Sequence, residues 1–402
     1  MKKLEDYEWI CPEPFASVNT TAAGHFRPCC VITGYEKEYP HTIENSSYSE
    51  FYRSEFMEKF KEAIKNNDRD FLSPYCKVCI QQENSGNRSA RQLYLSRLNG
   101  VHKDYKSKVE EIIHTNKEPD FFYSIELDAL GGNYCNLSCN MCRDKTSSAL
   151  RLEKIKLKEE ISQPIRIVNG KISPLIKATQ SEKFANELPS IVNRAREIKF
   201  VGGEPLLTKE IYDVMSMCEN KKDTTLRIIT NGTQDPLKFI SHAIGFKKVS
   251  VNISIEGIKE VNDYIRYPSV WKDIMRTYTL MKAAKFEVTL VTTISALNIG
   301  RLHELSSLFK PKEYVYGSYV GNNFYSVNSI PNDIKKIYLD RLTKYKDRWQ
   351  VQLLINCLNN SKFNETDMIN MLQHIKRRDN LRGTCLLSIH PEWETYYNGV
   401  TV

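Results

Sequence analysis

Cys135-Asn136-Leu137-Ser138-Cys139-Asn140-Met141-Cys142 places three cysteines within eight residues, directly after the apolar stretch Phe122–Leu127. Three thiolates at this spacing can wrap one compact soft-metal centre. A structural zinc site would require a fourth ligand, and no His or further Cys lies close by. A [4Fe–4S] cluster held by three thiolates instead leaves one iron open to an external ligand. A zinc knuckle completed by a distant residue is the plain alternative.

From this loop onward, short apolar strands alternate with amphipathic helices. The predicted strands are Phe122–Leu127, Glu197–Val201, Thr225–Ile229, Lys248–Ile253, Glu287–Thr293 and Tyr314–Val320. Strands separated by helical stretches indicate parallel β/α units. Turns follow several strand ends: Gly131-Gly132, Gly202-Gly203, Asn231-Gly232 and Glu256-Gly257. In a parallel barrel the active site lies at that edge. A charged stretch over 151–181, with Pro164, Gly170 and Pro174, interrupts the repeat as a lid or a helical excursion. Upstream, a short strand-turn-strand is expected over Thr20–Arg27. One helix is expected over Phe51–Asn66, with Tyr52, Phe56 and Phe60 on one face, and another over Gln82–Leu98. Residues 332–380 read as helical.

The chain has 402 residues, 41% hydrophobic and 26% charged, which suggests two or three structural units and excludes bulk disorder. No apolar run is long enough for a spanning helix. Met1-Lys2-Lys3-Leu4-Glu5-Asp6 has no apolar core of a signal peptide, so a cytoplasmic location away from membranes is expected. The net charge of +8 permits a nucleic-acid or phosphate-bearing partner without demanding one.

Eleven cysteines carry more information. In a reduced compartment, clustered cysteines point to metal or redox chemistry before disulfides. Beside the three above, Cys11, Cys29, Cys30, Cys76 and Cys79 form a second group, while Cys218, Cys357 and Cys385 stand alone. Cys76-Lys77-Val78-Cys79 is a tight bidentate pair. Four thiolates from such separated points fit a zinc site or a fully ligated [4Fe–4S] cluster, and spacing leaves both open.

The C-x3-C-x2-C loop after the first barrel strand resembles the radical S-adenosylmethionine (radical SAM) superfamily over residues 120–325. The resemblance implies an α/β fold, a partial (β/α)6 TIM-like barrel. It implies a cluster on Cys135, Cys139 and Cys142 whose open iron takes SAM. Reduction of the cluster then cleaves SAM to a 5′-deoxyadenosyl radical that abstracts hydrogen from a substrate. Val201-Gly202-Gly203-Glu204-Pro205 resembles the family's GGE motif, implying that Glu204 accepts hydrogen bonds from the SAM ammonium. Asn231 belongs to a Thr-Asn-Gly triplet that relatives often carry. Ser254-Ile255-Glu256-Gly257 stands where relatives usually show Ser-x-Asp-Gly. Ser254 would bond a ribose hydroxyl, and the longer Glu256 must sit differently. Arg266 resembles an arginine that meets the SAM carboxylate. Thr292, Thr293, Ser295 and Asn298 are candidates to line the adenosine pocket.

The words around the second cysteine group also carry a resemblance. They are Cys11-Pro12-x-Pro14-Phe15, Gly24-x-x-Arg27-Pro28-Cys29-Cys30, Cys76-x-x-Cys79 and Glu83-x-x-Gly86-x-x-Ser89-x-Arg91. They resemble the twitch lobe, related to SPASM domains, that holds an auxiliary [4Fe–4S] cluster. Here it precedes the barrel. Cys11, Cys29, Cys76 and Cys79 are the favoured ligands, with Cys30 in reserve because adjacent cysteines seldom both reach one metal. Arg88 and Arg91 are candidates to offset the cluster's charge.

The expected organisation is a twitch-like lobe (1–115), a radical SAM partial barrel (116–328) and a helical C-terminal extension (329–402). The expected function is radical SAM modification of a peptide or protein side chain, an oxidoreductase or other radical-mediated reaction fed by a reductant such as flavodoxin or ferredoxin. The same chemistry on a nucleotide, nucleic acid or carbohydrate is one alternative. A non-catalytic iron–sulfur protein is another. Tyr314, Tyr316, Tyr319, Phe324 and Tyr325 could stack on a substrate or simply pack the last strand.

Overall fold

The computed structural model describes every residue except Met1, 33–40, 85–87, 101, 131, 163–166, 169–170, 173–180, 321–323 and 402. The strands are β1 (Ser17–Thr20), β2 (Phe26–Arg27), β3 (Ser124–Glu126), β4 (Ile167–Val168), β5 (Lys171–Ile172), β6 (Glu197–Phe200), β7 (Thr225–Thr230), β8 (Lys248–Ser254), β9 (Glu287–Ile294) and β10 (Tyr314–Tyr319). All the strands expected from the sequence are present as β3 and β6 to β10, with ends shifted by no more than two residues. The fold is α/β, with parallel strands of the partial-barrel type and a helical C-terminal region. No described helix is long and apolar enough to cross a membrane.

The chain divides into two compact units. The first comprises Met1–Tyr134, Ile165–Ile228 and Ser241–Val249. Its sheet runs β2-β1-β3-β6-β7, with β2 antiparallel and the other pairs parallel. The register aligns Val18, Ile125, Ile198 and Leu226 in one row, and all four are completely buried. Because side chains alternate along a strand, the adjacent row is the polar one: Arg27, Asn19, Glu126, Lys199 and Arg227. Its charges pair across strands. Glu126 accepts from Arg27 Nη2 at 2.7 Å and from Lys199 Nζ at 2.5 Å. Burial alone would raise the Glu126 carboxyl, but the two cations outweigh it and lower its pKa.

The helices of the amino-terminal part differ from expectation at two capping serines. The helix expected over Phe51–Asn66 stops at Tyr52, and a second runs Glu55–Lys65, with Ser54 Oγ accepting from Met57 N. The helix expected over Gln82–Leu98 is likewise two, Lys77–Asn84 and Ala90–Asn99, the latter opened by a Ser89/Gln92 capping box. Phe56 and Phe60 pack with Tyr75 at ring-centroid distances of 5.3 and 6.0 Å. Of the interruption over 151–181, the β4–β5 hairpin is described, while Pro164, Gly170 and Pro174 lie outside the described residues.

The second unit comprises Cys135–Pro164, Ile229–Ile240 and Ser250–Val402. Here β8, β9 and β10 run parallel, pairing Val251 with Val288 and Leu290 with Tyr314. The C-terminal region forms helices Asn332–Thr343, Trp349–Asn360 and Glu365–Arg382.

Candidate cluster and cofactor sites

The three-cysteine loop belongs to neither helix nor strand, so its backbone polar groups need other partners. Ser138 N donates to the Tyr267 carbonyl at 2.6 Å and Asn140 N to the Ile265 carbonyl at 2.9 Å. Ser147 Oγ donates to the Leu137 carbonyl at 2.6 Å, and Cys135 N donates to Ser148 Oγ at 3.1 Å. None of these bonds involves a thiol, so the loop's path is set by the polypeptide.

Arg266 brings positive charge to the three thiols. Burial alone would lower its pKa, but Cys139, Glu256, Cys135 and Cys142 outweigh it and raise it. Cys139 is buried, and burial pushes its thiol up to about 12. A thiolate there needs a positive partner, which iron would supply. Among the described residues, no three His, Cys, Asp or Glu side chains converge as a single ion requires. Ligands of a four-iron cluster stand farther apart, since each binds a different iron. Three cysteines on one loop are the donor set that a four-iron cluster with one open iron would take.

The remaining candidates of this unit surround the loop or line β8 and β9. Asn231 Nδ2 donates to Asn136 Oδ1 at 2.9 Å and approaches Cys135 Sγ at 3.9 Å. Ser254 is half-buried at the end of β8. Glu256 is buried and accepts from Arg266 Nη1 at 3.1 Å, Thr293 N at 3.0 Å and Asn298 Nδ2 at 3.2 Å. Burial pushes its carboxyl up to about 7, against the pull of Arg266 and the Thr293 N–H. The longer carboxylate thus reaches back to Arg266, the residue expected to meet SAM. Thr292 is wholly buried on the β9 face shared with Leu290 and Ile294, whereas alternation turns Thr293 to the other face. Ser295 bonds Asn298 and is equally buried. Tyr314 and Tyr325 are buried, while Tyr319 is 53% exposed.

In the first unit, Gly202 and Gly203 adopt φ of 81° and 43°. A Cβ at Gly202 would overlap Asp128, and one at Gly203 would overlap the Tyr134 backbone. Glu204 N donates to the Tyr134 carbonyl at 2.7 Å. The glycines thus let this turn clasp the residue directly before Cys135. Glu204 is completely buried, and its Oε1 accepts from Leu206 N at 3.0 Å.

The amino-terminal cysteines meet at a second place. Cys11, Cys29, Cys76 and Cys79 line one small cavity of about 20 Å³ with Trp9 and Arg91. Burial pushes Cys11 and Cys29 well up, and Cys76 to about 12. Cys30 is directed elsewhere, with its Sγ 2.6 Å from Tyr94 Oη. The Glu83–Ser89–Arg91 word acts as a clamp on this cavity. Arg91 grips Glu83 through Nε and Nη2 at 2.9 and 2.7 Å and donates Nη1 to the Ile10 carbonyl, next to Cys11, at 3.0 Å. Trp9 Nε1 donates to the same Glu83 at 3.1 Å. Gly86 lies outside the described residues, and Arg88 is exposed. Four thiols lining one small cavity, with Cys11 and Cys79 buried and Cys29 and Cys76 half-buried, are the donor set a fully ligated cluster would take.

Residues 130–305 match the family model described as the radical SAM superfamily. This stretch is similar to the radical SAM domain. The radical SAM match spans the cysteine loop, the Gly-Gly-Glu turn and β6 to β9. No curated protein matches the chain. Similar solved structures include anSMEcpe with bound AdoMet and the Cp18Cys peptide, at 19% identity and a TM-score of 0.37, covering 60% of this chain and 62% of that one. Streptococcus suis SuiB bound to precursor peptide SuiA is similar at 12% identity and a TM-score of 0.36, covering 79% and 64%. The chain thus spans about three-fifths of the length of the first structures it matches.

Sequence reasoning left Asp128, Glu126 and Lys199 unused and read Arg27 only within the Gly24-x-x-Arg27-Pro28 word. The Arg27–Glu126–Lys199 row is spread over more than a hundred positions, which no local motif spans. Its signal was the polar alternation inside Ser124–Glu126 and Glu197–Phe200.

Proposed function

We propose that the protein is a radical SAM enzyme with two [4Fe–4S] clusters that modifies a peptide or protein side chain. The observation that carries the radical SAM reading is the loop of Cys135, Cys139 and Cys142, prefolded within a matching domain and faced by Arg266. Its bound cluster would supply the electron that splits SAM into methionine and the 5′-deoxyadenosyl radical, which takes a hydrogen atom from the substrate. The chain's own residues do the rest. Arg266 offsets negative charge at the loop, Asn231 fixes Asn136 beside Cys135, and Glu204 accepts hydrogen bonds from the SAM ammonium. Glu256 holds Arg266 in place and ties it to the end of β9.

The second cluster would be held by Cys11, Cys29, Cys76 and Cys79, a reading supported by the shared cavity. A closed cluster cannot bind SAM, so its roles are electron relay or substrate positioning. The peptide substrate rests on the resemblance of the amino-terminal cysteine words to twitch and SPASM lobes, whose enzymes act mostly on ribosomally made peptides. A flavodoxin or ferredoxin would deliver the first electron. Hydrogen abstraction from a peptide encoded beside this gene, read as deuterium transfer into 5′-deoxyadenosine, tests the substrate. Transfer from a nucleotide or sugar instead would replace it.

Two variants test individual residues. Glu204→Gln keeps an acceptor for Leu206 N but removes the charge facing the ammonium. Its loss should cost about 1.5–3 kcal/mol, weakening SAM binding by about one to two orders of magnitude in equilibrium dialysis. Unchanged affinity removes Glu204 from the SAM site. Separately, Cys30→Ala should retain the full iron content, while Cys29→Ala should lose about four irons per chain. The reverse pattern exchanges their roles.

A further inference from the structure

The helix Glu365–Arg382 ends on the three-cysteine loop, within the same unit. The Arg382 side chain is 2% exposed and every arm of its guanidinium is engaged. Nη1 donates to Asn140 Oδ1 at 2.6 Å and Nη2 to the Ser138 carbonyl at 2.5 Å. Nε and Nη2 each donate to a Glu153 oxygen at 2.8 Å. Ser138 and Asn140 flank Cys139 on either side. The guanidinium also lies 4.8 Å over the ring of Tyr267, whose carbonyl accepts from Ser138 N. Both flanks of Cys139 are therefore fixed twice, once by the backbone carbonyls of Ile265 and Tyr267 and once by Arg382.

The helix end is itself pinned. Gly383 closes it at a φ of 68°. Asp379 accepts from Tyr264 Oη at 3.2 Å, Leu386 N at 2.9 Å and Tyr397 Oη at 2.9 Å. One turn back, Arg378 pairs with Glu153 at 2.8 Å and Glu159 at 3.3 Å. The two carboxylates balance the two arginines. Arg382 is thus held neutralised, with its remaining donors directed at the loop.

We propose that Arg382 is a positioning residue for the SAM-cleaving cluster, so that the C-terminal region is a working part of the radical site. This rests on the reading of Cys135, Cys139 and Cys142 as cluster ligands. The guanidinium fork can hold a carbonyl, an amide and a carboxylate in one plane, a geometry that lysine cannot reproduce. Groups that orient ligands from behind typically change metal affinity by about 10–100-fold when removed.

The test uses full-length wild type, Arg382→Ala, Arg382→Lys and Asn140→Ala, each reconstituted anaerobically and challenged with a chelator. Iron release, visible absorbance and the EPR spectrum with and without SAM are followed. In Arg382→Ala about four of about eight irons should leave at least about tenfold faster than in wild type, the other four leaving at the wild-type rate. Arg382→Lys and Asn140→Ala should fall between, and the SAM-dependent change in the EPR spectrum should weaken in the same order. Should Arg382→Ala fail to fold, the two milder variants carry the test. Wild-type release and spectra in every folded variant overturn the proposal, as does equal acceleration of all the iron, which marks general loosening. If triple replacement of the three cysteines costs no iron, the underlying ligand reading fails instead, and the two failures are separately visible.

Discussion

Alanine at Cys135, Cys139 and Cys142 together should leave anaerobically reconstituted protein with about four irons per chain instead of about eight, and reduce SAM cleavage to the level of reductant alone. In the proposed reading each thiol would bind one iron of the same cluster, so triple removal would leave no partial site. The structure makes this a clean experiment. The loop is held by Ser138, Asn140, Ser147 and Ser148 through bonds that do not use sulfur. The barrel should therefore keep its circular dichroism and its melting behaviour apart from any stabilisation that the cluster itself contributes. The remaining four irons would sit at Cys11, Cys29, Cys76 and Cys79, which lie in the other compact unit. A wild type holding about four irons with zinc making up the balance would make the amino-terminal site a zinc site.

Cys76→Ala should divide the reaction. It should lose the amino-terminal cluster and most substrate turnover, yet still form 5′-deoxyadenosine without substrate. The motive is the separation of ligand sets. Cys76 lines the amino-terminal cavity, whereas the bonds described for the three-cysteine loop go to Ile265, Tyr267, Ser147 and Ser148. Loss of a metal can unfold the lobe that holds it. Here the lobe has supports of its own. Phe56, Phe60 and Tyr75 pack together, and Arg91 ties Glu83 to the segment before Cys11. The measurement is 5′-deoxyadenosine per enzyme with and without substrate, alongside iron content and circular dichroism. Abolished cleavage in a folded variant that retains the barrel cluster would show that the two clusters do not divide the work in this way.

The barrel strands were legible because they are short apolar runs closed by Gly or Asn turns. Lys248–Ile253 and Glu287–Thr293 each differ from the observed strand by one residue at the end. The amino-terminal strand Ser17–Thr20 was only half legible. A strand-turn-strand was expected nearby, but its parallel pairing with β3 joins residues about a hundred positions apart, which local pattern cannot reveal. Ser54 and Ser89 broke two expected helices because N-capping outweighs continuous amphipathic spacing. At the site, the cysteine loop and the Gly-Gly-Glu turn announced themselves through spacing. The Glu256–Arg266 pair did not, since it depends on the extra methylene of Glu reaching across ten residues. Arg382 lies just beyond the stretch 332–380 read as helical, although the observed helix runs on to it. Nothing local indicates that its fork closes on a loop more than two hundred positions earlier. Long-range polar contacts are set by packing, and packing is what a single sequence conceals.

The most direct test of the account is reductive cleavage of SAM by the reconstituted wild-type protein. Anaerobic enzyme, SAM and a strong reductant are incubated together, and methionine and 5′-deoxyadenosine are quantified. The account predicts that both accumulate in equal amounts, and that neither appears with the Cys135, Cys139 and Cys142 triple variant. Protein that holds its barrel cluster and binds SAM, yet returns it uncleaved, would contradict it and make the chain a cluster-binding protein without radical chemistry.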